Sequence, residues 1–341
     1  MKKGLLYILK IGISGLLALA ILSCFCLIYD NDPLATEQPY GFTNYKFPAN
    51  KFWVSMVEGF GYGKTNNIGY NSIDDVHFSD PVILFMGSSQ TEAFQVPQKD
   101  NFVSLLQKKY SVSADNELSF VNLGISSHYL DTCASTLESV ISGFENARYI
   151  VIEVGKIDFT QKQLDEMLQA SAYEPYKDKG ILTNAIRSIP YLRTLKNTFS
   201  KILKNKSAES QSDPIDIDYD AYSAKLDAAI ARISSIAQSS GTQLIIMHHN
   251  NILFNEDGQP MGADDPVLAA QFQQSCQRYD VHYIDMTDSF ITHYQDTFQL
   301  PYGFANSVMG VGHLNKTGHK LIADALYDAI STLNGDKQNG I

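Results

Sequence analysis

The feature that most narrows what this chain can fold into is a rhythm that begins at residue 82. Runs that are apolar at nearly every position, "VILFM" (82–86), "LSFVNL" (118–123), "YIVIEV" (149–154), "QLIIMH" (243–248) and "VHYIDM" (281–286), recur at strand length. Between them lie amphipathic segments such as "FVSLLQKKY", "YSAKLDAAIARISSIAQ" and "VLAAQFQQSCQRY", and "KTGHKLIADALYDAISTL" closes the chain. A strand apolar on both sides leaves no face for water, so it belongs in a parallel sheet covered by helices above and below. The expectation is an α/β domain over 81–335, a three-layer, flavodoxin-like parallel sheet, followed by a short tail at 336–341. Its sites should lie at the C-terminal ends of the strands.

The first 30 residues differ in kind. Lys2, Lys3 and Lys10 precede a stretch from Ile11 to Tyr29 that carries no charge. As a helix, Ile11 to Ile28 would be roughly 27 Å long, about the thickness of a hydrocarbon core. This predicts a single transmembrane helix. The lysines before it and Asp30 and Asp32 after it place the N-terminus in the cytoplasm and the rest outside the cell membrane. A cleaved signal peptide is the rival reading, but the apolar run is longer than a usual signal core and lacks a small-x-small site at its end. "ILSC" (21–24) loosely matches the box before a lipid-modified cysteine, yet "FCLIY" continues apolar where a mature lipoprotein turns polar. Only Cys133 and Cys276 lie beyond the span, so no disulfide framework is implied, and one bridge between them stays open.

A composition of 44% hydrophobic and 18% charged residues suits a chain with a substantial core, and a formal net charge of −11 excludes nucleic acid as the main partner. Residues 31–80 show no long periodicity and read as a stalk that packs on the domain. Within them "GFGYGKT" (59–65) imitates a phosphate-binding loop. The first glycine of that pattern would fall on Glu58 and no strand precedes it, so a turn-rich loop is expected. A helical insertion at about 160–218 interrupts the strand rhythm. Its 176–206 segment carries Lys177, Lys179, Arg187, Arg193, Lys196, Lys201, Lys204 and Lys206 against Asp178 alone. Such a basic face is either a solvated excursion or a contact for anionic lipid or an acidic wall polymer.

Nucleophilic serine chemistry needs a hydroxyl, a base within hydrogen-bond reach and donors for the developing oxyanion. Ser88 and Ser89 follow the first strand, "FVNLGISS" puts Asn122 and Gly124 at the end of the second, and "GHLNKTGHKLIADAL" sets His313 just before the last helix. Asn315 or Thr317 can cap that helix. "MHHNN" (247–251) ends the fourth strand, so His248, His249 and Asn250 are expected to line the substrate pocket with Asn122. Glu92, three residues after Ser89, either joins them or serves only as a first-turn acid. No metal-ligand spacing is present, so neither metal nor cofactor is expected. His319 should pack on the last helix.

These blocks resemble the SGNH or GDSL-type hydrolases and acyltransferases. "FMGSSQTEA" is similar to the Gly-Asp-Ser block, with Ser88 in the aspartate's place and Ser89 as nucleophile. "VNLGISS" resembles the second block, whose glycine, here Gly124, offers an oxyanion amide beside that of Ser89. "GHLNKTGHKLIADAL" is similar to the last block, with its histidine on His313. Two positions depart from the pattern: the aspartate three residues before the histidine is Gly310, and the asparagine of the third block is Ile157 in "VGKID". A main-chain carbonyl near Gly310 is the favoured partner for His313. Asp285, Asp288 or Asp158 could serve instead, or the site is impaired.

The resemblance implies an extracytoplasmic serine esterase or O-acyltransferase acting on ester groups of cell-envelope or exopolysaccharide carbohydrate. A multi-span acyltransferase is the implied partner. The alternative is a catalytically impaired protein that keeps the fold to bind polysaccharide or scaffold an envelope acylation complex.

Overall fold

The structure, a computed structural model, describes residues 2–29, 47–111, 118–170, 180, 189–192, 194–195 and 219–339. Most of the basic 176–206 segment lies outside these residues. Helix α1 (Lys2–Tyr29) opens the chain, and its Gly4–Leu27 stretch is long and apolar enough to cross a membrane.

The five apolar runs form one five-stranded sheet. Its members are β3 (Val82–Met86), β4 (Ser119–Asn122), β5 (Ala147–Val154), β6 (Gln243–His248) and β9 (His282–Asp285), in the order β4-β3-β5-β6-β9, with every pairing parallel. Numbered within the sheet this is 2-1-3-4-5, the flavodoxin-like order. The chain reverses its direction of growth between β3 and β5, which opens a crevice at their C-terminal ends.

Alternation along each strand feeds two cores. Val82, Leu84, Met86, Ile150, Ile152, Leu244 and Ile246 point to one side and meet α4 (Leu130–Ser142), α5 (Gln161–Met167), α6 (Tyr219–Ser239) and α7 (Pro266–Arg278). Ile83, Phe85, Tyr149, Val151, Ile245 and Met247 point to the other, against α3 (Phe102–Ser111), α8 (Thr287–Thr297) and α9 (Lys316–Asn339). Each fully buried Val, Leu, Ile or Phe contributes about 1.5–3 kcal/mol, which is why both faces had to be apolar. Cys133 and Cys276 are separate free thiols within the first core, so the bridge left open by the sequence is absent.

The described residues just before the sheet, 47–80, are more ordered than their composition suggests. Phe52–Ser55 (β1) and Gly61–Lys64 (β2) form an antiparallel hairpin, so "GFGYGKT" is half strand and not the turn-rich loop expected. Trp53 is fully buried under it, with its ring 4.6 Å from that of Phe94. A second small hairpin, β7 (Ile252–Phe254) with β8 (Pro260–Gly262), follows β6 and was not foreseen.

Candidate active site

β3 ends on Met86, and Gly87 and Ser88 turn the chain at once into the short helix α2 (Ser89–Glu92). Ser88 is its N-cap: the backbone is extended and Ser88 Oγ accepts the Gln90 N–H at 3.3 Å. The same hydroxyl donates inward to Glu153 Oε2 at 2.9 Å, and the Ser88 N–H donates to that oxygen at 2.8 Å. Ser88 is therefore turned into the protein, and Ser89, the next residue, is half-buried beyond the C-terminal end of β3.

His313 is 224 residues away in sequence and comes from the loop before α9. Its Nε2 lies 2.8 Å from Ser89 Oγ. Its Nδ1 lies 2.6 Å from Glu58 Oε2, and its backbone N–H donates to Glu58 Oε1 at 3.0 Å. A carboxylate only accepts, so Nδ1 carries the proton and the Nε2 lone pair faces the serine hydroxyl. The imidazole is thus held by an acid from the turn between β1 and β2. This corrects the expected main-chain carbonyl near Gly310. It also corrects the three aspartates: Asp285 lies beside His248, Asp158 pairs with Lys156 in solvent, and Asp288 is exposed on α8. Glycine at 312 is what admits the acid: its φ is +96°, and a Cβ there would collide with Glu58 Oε1.

The Glu58 turn is itself tied down. Asn306 accepts the Gly59 N–H at 2.8 Å and donates to the carbonyls of Met56 (3.0 Å) and Gly59 (2.9 Å). Gln90 bridges the other side, donating to the Gly312 carbonyl at 3.2 Å and accepting the Leu314 N–H at 2.7 Å. Asn315 caps α9 by accepting the N–H groups of Thr317 and Gly318, at 2.9 and 3.2 Å.

Under the Ser88–Ser89 turn lies a buried polar chain. Glu153 accepts from Ser88, from Thr91 Oγ1 at 3.1 Å and from His249 Nε2 at 3.0 Å, and His249 Nδ1 meets the Tyr302 hydroxyl at 2.5 Å. Burial works to raise the Glu153 pKa, but the hydrogen bond and charge of His249 and the Ser88 donors together hold it below the ordinary value. His249 therefore supports the turn from below and does not line a pocket. His248 is fully buried too, between Asp264 (3.2 Å) and Asp285 (3.7 Å). Burial disfavours its charge, yet the two aspartates win and raise its pKa to about 9.

The remaining pocket candidates are likewise turned inward. Asn122 is buried and donates to the Thr91 carbonyl at 2.7 Å, Glu92 is buried with its carboxylate accepting from Ser126 Oγ, and Asn250 donates to Asp264 at 2.5 Å. Glu92 (3% exposed), Asn122 (1%), His248 (0%) and His249 (1%) are closed to a substrate arriving from solvent. Gly124 is glycine because it lies flat on α2, where a Cβ would meet the Thr91 carbonyl carbon at 2.6 Å. Its N–H is committed to Asn122 Oδ1 at 2.9 Å, so of the two expected oxyanion donors only the Ser89 N–H is without an acceptor among the described residues. Ile157 is buried in the first core and replaces the third-block asparagine with packing. His319 is buried at the start of α3, where its Nδ1 accepts the Phe102 N–H at 3.3 Å, and burial lowers its pKa to about 3. No cluster of three or more potential metal ligands occurs among the described residues.

Sequence reasoning missed Glu58, Glu153 and Asn306. Glu153 had a signal, an acid inside the apolar run "YIVIEV", which a buried strand tolerates only when the charge is held. Glu58 and Asn306 sit in turns without periodicity and carried none.

No protein-family model matches the chain, and no curated protein does. Solved structures with a similar fold include the psychrotrophic esterase EstA from Pseudoalteromonas sp., at 17% identity over 75% of this chain and 100% of that one, TM-score 0.41. The acetyl xylan esterase AlAXEase is similar at 14% identity over 73% and 99%, TM-score 0.43. A member of the lipolytic G-D-S-L family from Veillonella parvula is similar at 16% identity over 73% and 98%, TM-score 0.39. The chemistry proposed below rests on this chain's own Ser89, His313 and Glu58.

Proposed function

We propose that the protein is a membrane-anchored serine esterase or O-acyltransferase whose domain lies outside the cytoplasm and acts on ester groups of envelope or exopolysaccharide carbohydrate. The observation that carries the chemical part is the unbroken relay Ser89 Oγ to His313 Nε2 and His313 Nδ1 to Glu58. Ser89 Oγ attacks the acyl carbonyl while His313 Nε2 takes its proton, and Glu58 stabilises the imidazolium that forms. The Ser89 N–H faces the oxyanion. The bond to the leaving alcohol then breaks as His313 returns the proton to that oxygen, leaving an acyl-serine. A second cycle, with water or a sugar hydroxyl as nucleophile, releases the acyl group and restores Ser89. The apolar α1 supports the anchored reading, and the lysines before it support an external domain.

A fluorophosphonate probe tests the proposal. The wild type should label once per chain and hydrolyse an aryl acetate, and both should vanish in Ser89→Ala. Absence of both in folded wild type would overturn it in favour of a carbohydrate-binding or scaffolding role. Adding a soluble glucan or xylan oligomer then separates the two enzymes: a transferase diverts acyl groups to the sugar and a hydrolase does not.

A further inference from the structure

In the hairpin β1–β2, cross-strand pairs Phe52↔Lys64 and Val54↔Tyr62 share one face, and Trp53 occupies the other. The Trp53 face is the core face. The opposite face leaves Phe52 75% and Tyr62 44% exposed, with Lys64 exposed opposite Phe52 at its end. In the connecting turn Phe60 is 51% exposed, its ring 5.6 Å from that of Tyr62. Glu58 is in that same turn. The loop that closes over it from the C-terminal side adds Val308, Met309 and Val311, which are 63%, 55% and 55% exposed. Asn306 bonds this loop to the turn, so the two apolar lips flank the triad as one unit.

The position of α1 identifies what covers this surface. The helix is exposed over most of its length, but Cys26, near its end, is buried, and α1 contacts β1. The hairpin therefore stands where the apolar helix ends, which for a helix that spans the bilayer is the level of the headgroups. Aromatic rings beside a lysine are a composition that favours this layer, the rings entering the acyl boundary and the ammonium group meeting phosphates.

We propose that the outer face of β1–β2, with Phe60 and the 308–311 loop, seats the domain on the phospholipid surface and turns the triad toward it. The ester that Ser89 attacks is then one presented at the bilayer by an amphiphile, with its acyl or alcohol part lipid-borne. This second half rests on the esterase reading, and the docking half does not.

The experiment uses the full chain reconstituted in phosphatidylcholine vesicles with brominated acyl chains, which quench tryptophan by contact. The chain has one tryptophan, so Trp53→Phe gives a silent background. Phe52→Trp, Tyr62→Trp and Val308→Trp are read one at a time against Glu145→Trp, an exposed position at the opposite end of the sheet. Quenching at 52, 62 and 308 and none at 145 is expected, and equal quenching at all four overturns the docking. If Trp53→Phe does not fold, Tyr62→Trp in the wild-type background is compared with wild type, whose buried Trp53 should be unquenched. The triple variant Phe52→Ser, Phe60→Ser, Met309→Ser should lose roughly tenfold or more on a long-chain ester embedded in the vesicle, consistent with three lost apolar contacts. It should keep its rate on a soluble aryl acetate. Equal loss on both substrates, or no loss on either, refutes the lipid-borne substrate. If wild type turns over neither ester, the esterase reading fails, while the quenching pattern still decides the docking.

Discussion

Neutralising Glu58 tests the relay most directly. In the proposed reaction His313 becomes an imidazolium, and Glu58 Oε2 is the anion against it, 2.6 Å from Nδ1. Unit charges about 4 Å apart at an effective dielectric constant near 20 attract by about 4 kcal/mol. Glu58 and His313 are 22% and 26% exposed, so solvent screens part of this, and roughly 3 kcal/mol is a reasonable share. That corresponds to a fall of about 10² to 10³ in kcat. Glu58→Gln keeps the size and an acceptor for the His313 N–H but removes the charge, so it should show this loss with KM little changed. Glu58→Ala should lose at least as much. The assay is steady-state hydrolysis of an aryl acetate by the full chain, with circular dichroism to establish folding. Asp158→Ala, Asp285→Ala and Asp288→Ala are controls expected to leave kcat near wild type. A Glu58→Gln enzyme within about threefold of wild type would refute the assignment, since an orienting charge that mattered could not be removed so cheaply.

Asn306→Ala removes three hydrogen bonds that fix the Glu58 turn, and kcat should fall about tenfold or more with KM and fluorophosphonate stoichiometry retained, as measured on folded protein. Asn306→Asp, which keeps the acceptor for Gly59 N–H but loses both donor bonds, should fall between the two. The His248 cluster should make stability depend on pH: its pKa is raised from 6.5 to about 9, so its contribution is complete below pH 6.5 and is lost as pH rises through 9. The shift is worth roughly 3 kcal/mol. Denaturant unfolding should therefore show a decline from pH 7 to 10 that flattens in Asp264→Asn.

The sheet was legible because fully buried strands must be apolar on both faces, and "VILFM" and "QLIIMH" became strands at the boundaries read from sequence. The pairing of Ser89 with His313 could be approached from sequence because both sit at strand or helix junctions with local signatures. Glu58 could not. Its contact with His313 spans 255 residues, and its own hairpin buries Trp53 on one side while leaving Phe52 and Tyr62 exposed on the other. That pattern reads as neither buried strand nor polar edge. Glu58 even entered the sequence argument as the residue that spoiled a phosphate loop. His248 and His249 illustrate the reverse failure: position at a strand end was right, but adjacent residues point to opposite sides, and each found an acid, the partly buried Asp264 for His248 and the buried Glu153 for His249.

The three members of the relay come from residue 58, residue 89 and residue 313 of a 341-residue chain, so they are held together only by the folded domain. A chain emerging N-terminus first presents Ser89 early and His313 only 224 residues later. Until the closing loop arrives to meet the first hairpin, Ser89 is an ordinary hydroxyl. Synthesis is thus completed with a chemically silent chain, and competence is acquired in the same step that finishes the fold.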